Sequence, residues 1–158
     1  DGLNLTFATL EGVLKHSYPY KKPFLETLDE RFRLDKHPSL EPMVVDHADE
    51  IAYTSHDIDD GIKYKLISFD DLKESEMFAR VDDMVSQEGI TQQDRLYRHR
   101  FVAALIKLLV EDFLVNSKEN AAKYAQSEPI SATLDATIPL PLGFSSQIAT
   151  ELKKLKKI

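Results

Sequence analysis

The sequence contains no cysteine among its 158 residues, so it can form neither a disulfide framework nor a metal site with thiolate ligands. It also lacks any apolar run near the roughly 20 residues that a membrane-spanning helix needs, and no secretory signal opens it. These absences argue against a membrane partner and favour a cytoplasmic protein.

Positive charge is also scarce. Lysine and arginine number 20 against 27 aspartates and glutamates, which gives a net charge of −7. Sequence-independent binding to nucleic acid needs a cationic surface, so the composition carries no strong signal for such a partner. Four lysines near the C-terminus are typical of either a solvated helix end or a binding patch: Lys153, Lys154, Lys156 and Lys157.

Apolar residues recur at helical spacing along nearly the whole chain, which predicts an all-α protein of several helices and long irregular loops. The length and the 42% hydrophobic content predict one helical domain over residues 1–158. Prolines and glycines place loops at residues 17–38 and 128–143. The expected helices cover residues 5–16, 39–60, 68–87, 92–115 and 117–127, and Ser145 or Ser146 caps a last helix.

The helix expected at residues 39–60 has two unlike faces, since successive residues turn by about 100°. One broad face carries Val44, Ala48, Ile51, Ala52, Ser55, Ile58 and Ile62. The opposite face carries Asp46, Asp49, Tyr53, His56, Asp57 and Asp60. Like charges one turn apart repel each other, and no lysine or arginine relieves them here. Two interpretations stay open: a solvated acidic face, or carboxylates that a divalent cation neutralises.

Residues 45–61 read Val-Asp-His-Ala-Asp-Glu-Ile-Ala-Tyr-Thr-Ser-His-Asp-Ile-Asp-Asp-Gly. This segment resembles the dGTP triphosphohydrolases of the HD phosphohydrolase family, where it supplies the last ligand of an H…HD…D metal constellation. The matching residue is Asp49, so the resemblance implies that Asp49 binds a divalent metal ion such as Mg²⁺ or Mn²⁺. It further implies that Tyr53 packs on the deoxyribose and helps to exclude a 2′-hydroxyl. Asp57 would accept a hydrogen bond from the 3′-hydroxyl.

Other stretches carry the same resemblance. Residues 2–15 resemble the family's segment before that helix, and the lysine expected near the substrate phosphates corresponds to Lys15. Residues 95–112 and 144–153 resemble later helices. The family's first His and its His-Asp pair lie upstream of this region, and both ends of the chain look cut. We therefore expect part of a larger HD-domain phosphohydrolase that is inactive alone.

A competing set of metal ligands lies inside the chain. His56-Asp57 is itself an HD dipeptide, and His16 and Asp112 would complete a self-contained set. Adjacent residues on a helix point about 100° apart, which argues against joint ligation by His56 and Asp57. Two interpretations stay open for three arginines: they contact the substrate phosphates, or they belong to an ordinary surface. These are Arg95, Arg98 and Arg100.

The resemblance implies a homo-oligomeric enzyme that hydrolyses a deoxynucleoside triphosphate to the deoxynucleoside and inorganic triphosphate. One alternative is another HD phosphohydrolase, such as a phosphodiesterase or a guanosine-tetraphosphate hydrolase. The other is a non-catalytic helical module for oligomerisation or nucleotide sensing.

Overall fold

The computed structural model describes residues 2–17, 30–127 and 142–158. Within these ranges no residue belongs to a β-strand, and the helices confirm the all-α prediction. The elements are α1 Phe7–Leu14, a 3-10 helix Glu30–Phe32, α2 Leu40–Lys63, α3 Phe69–Leu72, α4 Glu76–Ser86, α5 Tyr97–Ser127 and α6 Ser146–Leu155. None of these helices combines the length and the apolar character needed to cross a membrane. Most of the two predicted loops, at 18–29 and 128–141, lies outside the described residues.

The chain divides into two compact units. The first unit comprises Asp1–Ala48 and Lys118–Gly143, and the second comprises Asp49–Ser117 and Phe144–Ile158. One domain over residues 1–158, as part of a larger HD-domain protein, stays a prediction.

In the first unit, α1 packs closely on the first turn of α2. A Cβ atom on Gly12 would lie 2.6 Å from Cγ of Pro42, so only glycine permits this approach. Just after α1, Nδ1 of His16 lies 2.5 Å from Oδ1 of Asp46, and the backbone N–H of Ser17 donates to Oδ2 of the same carboxylate at 3.2 Å. These contacts tie the end of α1 to α2.

The second unit holds the main hydrophobic core, to which α2 through α6 all contribute. Each fully buried large apolar side chain stabilises the fold by about 1.5–3 kcal/mol. Phe69 packs edge-on against Tyr97 and Phe101, with ring centroids 4.8 Å and 5.4 Å apart. The buried cluster consists of Ile51, Ile58, Leu72, Met77, Phe78, Val81, Val85, Tyr97, Phe101, Ala104, Leu105, Leu109, Ile148, Leu152 and Leu155.

The predicted end of α2 at Gly61 is wrong, because the helix continues to Lys63. Gly61 instead permits a close approach, since a Cβ there would lie 2.9 Å from Cγ1 of Ile67. The stop is formed by Lys65, whose φ is +59°. The N–H groups of Lys65 and Leu66 donate to the carbonyls of Ile62 and Gly61 at 3.1 Å and 2.8 Å, which is the Schellman arrangement.

The helix predicted at residues 68–87 is two helices. Its start is correct, because Ser68 and Asp71 form a capping box at the start of α3. The chain leaves the helical conformation before Ser75, whose φ and ψ are −89° and 128°. The interruption lets Leu72 and Met77 both reach the core, at 1% and 0% exposure. Residues five apart on one straight helix would point about 140° away from each other.

The two helices predicted at 92–115 and 117–127 are one helix, α5, which begins only at Tyr97. Residues 97–127 contain neither proline nor glycine, so nothing in the sequence interrupts the helix. The predicted first helix is shorter than expected, at Phe7–Leu14. The predicted cap of α6 is confirmed, since Oγ of Ser145 accepts from the N–H of Ile148 at 3.3 Å.

Candidate functional site

The polar side of α2 is a continuous exposed surface in the second unit. We call it the outer face and define it by five exposed residues: Asp49, Tyr53, His56, Asp57 and Asp60. The side chain of Tyr53 is 61% exposed, although tyrosine rings are usually at least partly covered. The predicted acidic face with its single tyrosine and histidine is therefore accessible to a ligand.

The buried side of α2 keeps the orientation of this face. Ile51, Ser55 and Ile58 are buried as predicted, at 6%, 0% and 6% exposure. The prediction was too broad for Val44, Ala48 and Ala52, which are exposed. The buried stripe is thus narrower than predicted, and it also includes Thr54 at 3% exposure.

An ion pair fixes the C-terminal half of α2 to α5. The guanidinium group of Arg98 donates to Oδ1 of Asp59, and both side chains are partly shielded from solvent. Arg100 pairs with Glu88 at 2.5 Å. Two of the three candidate phosphate-binding arginines thus already bind carboxylates, while Arg95 is exposed. The Arg98–Asp59 pair thus joins α2 to α5 within the second unit.

Tyr53 and Asp57 interact directly, one turn apart on the outer face. The Tyr53 hydroxyl donates a hydrogen bond to the Asp57 carboxylate. This hydrogen bond, together with the negative charge of Asp57, raises the pKa of Tyr53 above its ordinary value. Tyr53 therefore stays a neutral hydrogen-bond donor throughout the physiological range.

Asp49 can supply a single carboxylate group as a ligand for a metal ion. Among the described residues, no group of three or more His, Cys, Asp or Glu side chains is arranged to hold a metal. A single carboxylate binds a divalent cation weakly. Asp49 is suited to act as one ligand of a site, and it does not form a site by itself.

Two members of the competing H…HD…D set, His16 and Asp112, already bond to other groups within their own units. His16 is bonded to Asp46. Asp112 accepts hydrogen bonds from the backbone N–H and the hydroxyl of Ser145 at 2.8 Å and 2.7 Å, so it anchors the start of α6. With no metal-holding group among the described residues, this alternative loses its geometric basis.

Lys15 lies in the first unit and is fully buried, with 0% exposure. Its ammonium group donates to Oε1 of Glu11 at 2.6 Å. The sequence prediction named Lys15 without this partner, although the spacing of four residues on one helix is a readable signal for such a pair. The ammonium group of Lys15, which was expected to contact a phosphate, therefore binds the Glu11 carboxylate in this structure.

Comparison with known proteins shows what the chain is similar to. It is 57% identical over its whole length to the deoxyguanosinetriphosphate triphosphohydrolase-like protein of Wolinella succinogenes, of which it covers 43%. Over 99% of its length it is 36% and 34% identical to proteins of the same name from Nitrosomonas europaea and Bordetella pertussis. It covers 41% and 40% of these two relatives. No family model matches the chain.

The chain thus spans about two fifths of the length of these curated relatives. The matched region covers 99% or more of the chain, so α2 lies within it. The resemblance of this chain to the deoxyguanosinetriphosphate triphosphohydrolase-like proteins is therefore confirmed over its whole length.

Proposed function

We propose that the chain is part of a metal-dependent hydrolase that converts a deoxynucleoside triphosphate and water into a deoxynucleoside and inorganic triphosphate. The observation that carries the proposal is the exposed series Asp49, Tyr53 and Asp57 on α2, with the Tyr53 hydroxyl bonded to Asp57. The relatives' name, deoxyguanosinetriphosphate triphosphohydrolase-like protein, supports the same reaction.

The spacing of the series suits a nucleotide that lies along the helix. Residues four apart are separated by about 6 Å along the axis and turn by about 40°. A phosphate near Asp49 would thus have its sugar next to Tyr53 and the sugar's far hydroxyl next to Asp57. The exposed ring of Tyr53 would pack on the deoxyribose and leave no room for a 2′-hydroxyl.

Asp57 would accept a hydrogen bond from the 3′-hydroxyl. Its carboxylate already accepts one from Tyr53, and a carboxylate has lone pairs for further donors. The Tyr53 bond therefore orients Asp57 before the nucleotide arrives, which reduces the entropy that binding must remove.

In the reaction, water would attack the α-phosphorus, the bond from phosphorus to O5′ would break, and O5′ would take up a proton. Asp49 would be one ligand of a divalent metal ion such as Mg²⁺ or Mn²⁺. Such an ion polarises a phosphate and lowers the pKa of bound water. The remaining ligands, a His and a His-Asp pair, are predicted in the longer protein. The 158-residue chain is therefore predicted to be inactive by itself.

Lys15 is proposed to contact substrate phosphates after its ammonium group exchanges Glu11 for a phosphate or shares both. A triphosphate can compete with Glu11 for the ammonium group because it carries more negative charge than one carboxylate. A homo-oligomer also stays a proposal that rests on the family resemblance.

The first prediction concerns Asp49 and tests the proposed function. In the full-length protein, Asp49→Ala should abolish triphosphate release from all four deoxynucleoside triphosphates, because the metal would lose an anionic ligand. Helix content by circular dichroism should be unchanged, since Asp49 is exposed. Asp83→Ala, which removes an exposed aspartate from α4, is the matched control and should keep activity.

Retained turnover in the Asp49 variant would overturn the assignment of Asp49. An unmodified full-length protein that releases no triphosphate from any deoxynucleotide would overturn the proposed reaction itself. Detectable release by the purified 158-residue chain would contradict the prediction that it is inactive alone.

A further inference from the structure

The proposed function leaves two members of the outer face without a role, His56 and Asp60, and Asp60 already pairs with Lys63 at 3.8 Å. His56 is exposed, and none of the hydrogen bonds and ion pairs among the described residues uses it. A histidine held at the surface of a rigid helix, beside acidic residues and a tyrosine, presents both a donor and an acceptor nitrogen. It is thus available for a ligand.

The position of His56 relative to the series follows from helix geometry. His56 is seven residues beyond Asp49, which places it about 10.5 Å further along the axis and only about 20° away in direction. Tyr53 and Asp57 turn from Asp49 by about 40° and 80° in the opposite sense. The series Asp49, Tyr53 and Asp57 therefore shifts toward one side of the helix, which we call the Asp57 flank. His56 lies on the other flank, at nearly the same position along the axis as Asp57.

These directions are fixed in the second unit. Helix α2 runs without interruption from Leu40 to Lys63. Ile51 and Ile58 are buried on its far side, and Arg98 holds Asp59. Rotation of the helix about its axis would expose the two isoleucines and break the ion pair. His56 and Asp57 therefore keep these directions relative to the core of the second unit.

We propose that His56 contacts the nucleobase of the bound deoxynucleoside triphosphate and contributes to base selection. This inference rests on the proposed function, because Asp49 must hold the phosphate end and Asp57 the 3′-hydroxyl. The base leaves the sugar from a different ring carbon than the 3′-hydroxyl. A sugar whose 3′-hydroxyl is held on the Asp57 flank directs its base toward the other flank, where the imidazole of His56 can hydrogen-bond to a base edge or stack on the ring.

A role in phosphate or metal binding fits His56 less well. It is about 10.5 Å beyond Asp49 along the axis, which exceeds the separation of two ligands of one metal ion. Asp57, its neighbour in sequence, points about 100° away, so the two side chains do not converge on one ion. The position of His56 along the helix axis instead corresponds to the nucleoside part of the proposed substrate.

A substrate without a base separates a base contact from every other role. We would compare His56→Ala and His56→Gln with the unmodified full-length protein. The readouts are kcat/KM for the four deoxynucleoside triphosphates and the inhibition constant of 2-deoxyribose 5-triphosphate. Gln87→Ala, which removes an exposed polar side chain at the end of α4, is the control.

For His56→Ala we expect kcat/KM for the preferred nucleotide to fall about fivefold or more, as expected for one lost hydrogen bond. The ratios among the four bases should change, while the inhibition constant of the base-free compound stays the same. His56→Gln, which keeps a donor and an acceptor, should retain part of the preference. The Gln87 variant should change neither quantity.

Equal losses for all four nucleotides, together with weaker inhibition by the base-free compound, would show that His56 acts on the sugar, the phosphates or the fold, and would overturn the proposal. Unchanged ratios and rates would also overturn it, while the Asp49 result would leave the proposed function standing. A full-length protein with no triphosphohydrolase activity would overturn both.

Discussion

At the scale of single residues, the outer face of α2 shows how chemistry follows from spacing. Tyr53 and Asp57 are four apart, so they meet on one helix face, and the hydroxyl donates to the carboxylate. The bond and the negative charge of Asp57 raise the pKa of Tyr53. Two residues that the sequence predicts separately thus interact with each other, and their proposed role in binding the sugar stays a prediction.

The proposed bond between Asp57 and the 3′-hydroxyl can be tested with two substrates. Asp57→Ala should lower kcat/KM for a deoxynucleoside triphosphate about tenfold or more, because a hydrogen bond to a charged group is lost. For the matching 2′,3′-dideoxynucleotide, which has no 3′-hydroxyl, the same substitution should change kcat/KM little. Asp83→Ala is the control for one lost exposed carboxylate. An equal loss with both substrates would contradict the contact.

At the scale of the elements, the ends of helices depend on more than the residue types that usually end them. Ser68 and Ser145 cap α3 and α6 as their sequence context predicts. Gly61 does not end α2, since its missing side chain is needed for the contact with Ile67. The stop falls at Lys65, which adopts a positive φ that few non-glycine residues adopt.

The capping box at α3 predicts a pH dependence of stability. The Ser68 hydroxyl, and to a smaller extent its backbone N–H, donate to the Asp71 carboxylate and lower its pKa. A lowered pKa in the folded state stabilises the fold at pH values above the unfolded pKa, near 4. This contribution is lost as the pH falls through the lower, folded pKa.

Asp71→Asn should therefore lower the free energy of unfolding at pH 7 and flatten its decline below about pH 4. The measurement is urea denaturation of the protein across pH 2.5–7. Asp83→Asn, an exposed aspartate that caps no helix, controls for the loss of one charge. An acid decline as steep as that of the unmodified protein would show that the cap does not contribute.

At the scale of the whole molecule, contacts between distant parts of the chain arrange the helices of the second unit. Arg80 on α4 binds Oε1 of Glu151 on α6 at 3.0 Å, and the Glu151 side chain is only 4% exposed. The other carboxylate oxygen of Glu151 is buried without a hydrogen-bond partner among the described residues. Arg80 is thus the group that compensates this buried charge.

Removal of Arg80 should be costly for that reason. Arg80→Met leaves Glu151 as an unpaired buried charge, and the free energy of unfolding should fall by about 2 kcal/mol or more. The double variant Arg80→Met/Glu151→Met should recover most of the loss, because no charge remains buried. Both values come from chemical denaturation.

The exposed pair Lys73–Asp70, with N–O distance 2.6 Å, offers a matched control. Lys73→Met should have a much smaller effect, because exposed ion pairs contribute little. Equal losses for Lys73→Met and Arg80→Met would show that burial of Glu151 does not govern the stability of this pair.

The sequence by itself determined the helical class, the polar face of α2 and the candidate residues Asp49, Tyr53 and Asp57. Helical period and spacing are local properties, so about 20 consecutive residues suffice to define a face. The resemblance that named the residue roles was likewise contained in one continuous segment, residues 45–61.

Only the tertiary structure decided where α2 ends, that residues 68–87 form two helices, and which carboxylates Arg80 and Arg98 bind. The role of Gly61 follows from its close approach to Ile67. Arg98 forms an ion pair with Asp59, and Arg80 forms one with Glu151. The last two pairs join residues that are 39 and 71 positions apart. Local periodicity carries no information about such partners, because the packing of whole helices brings them together.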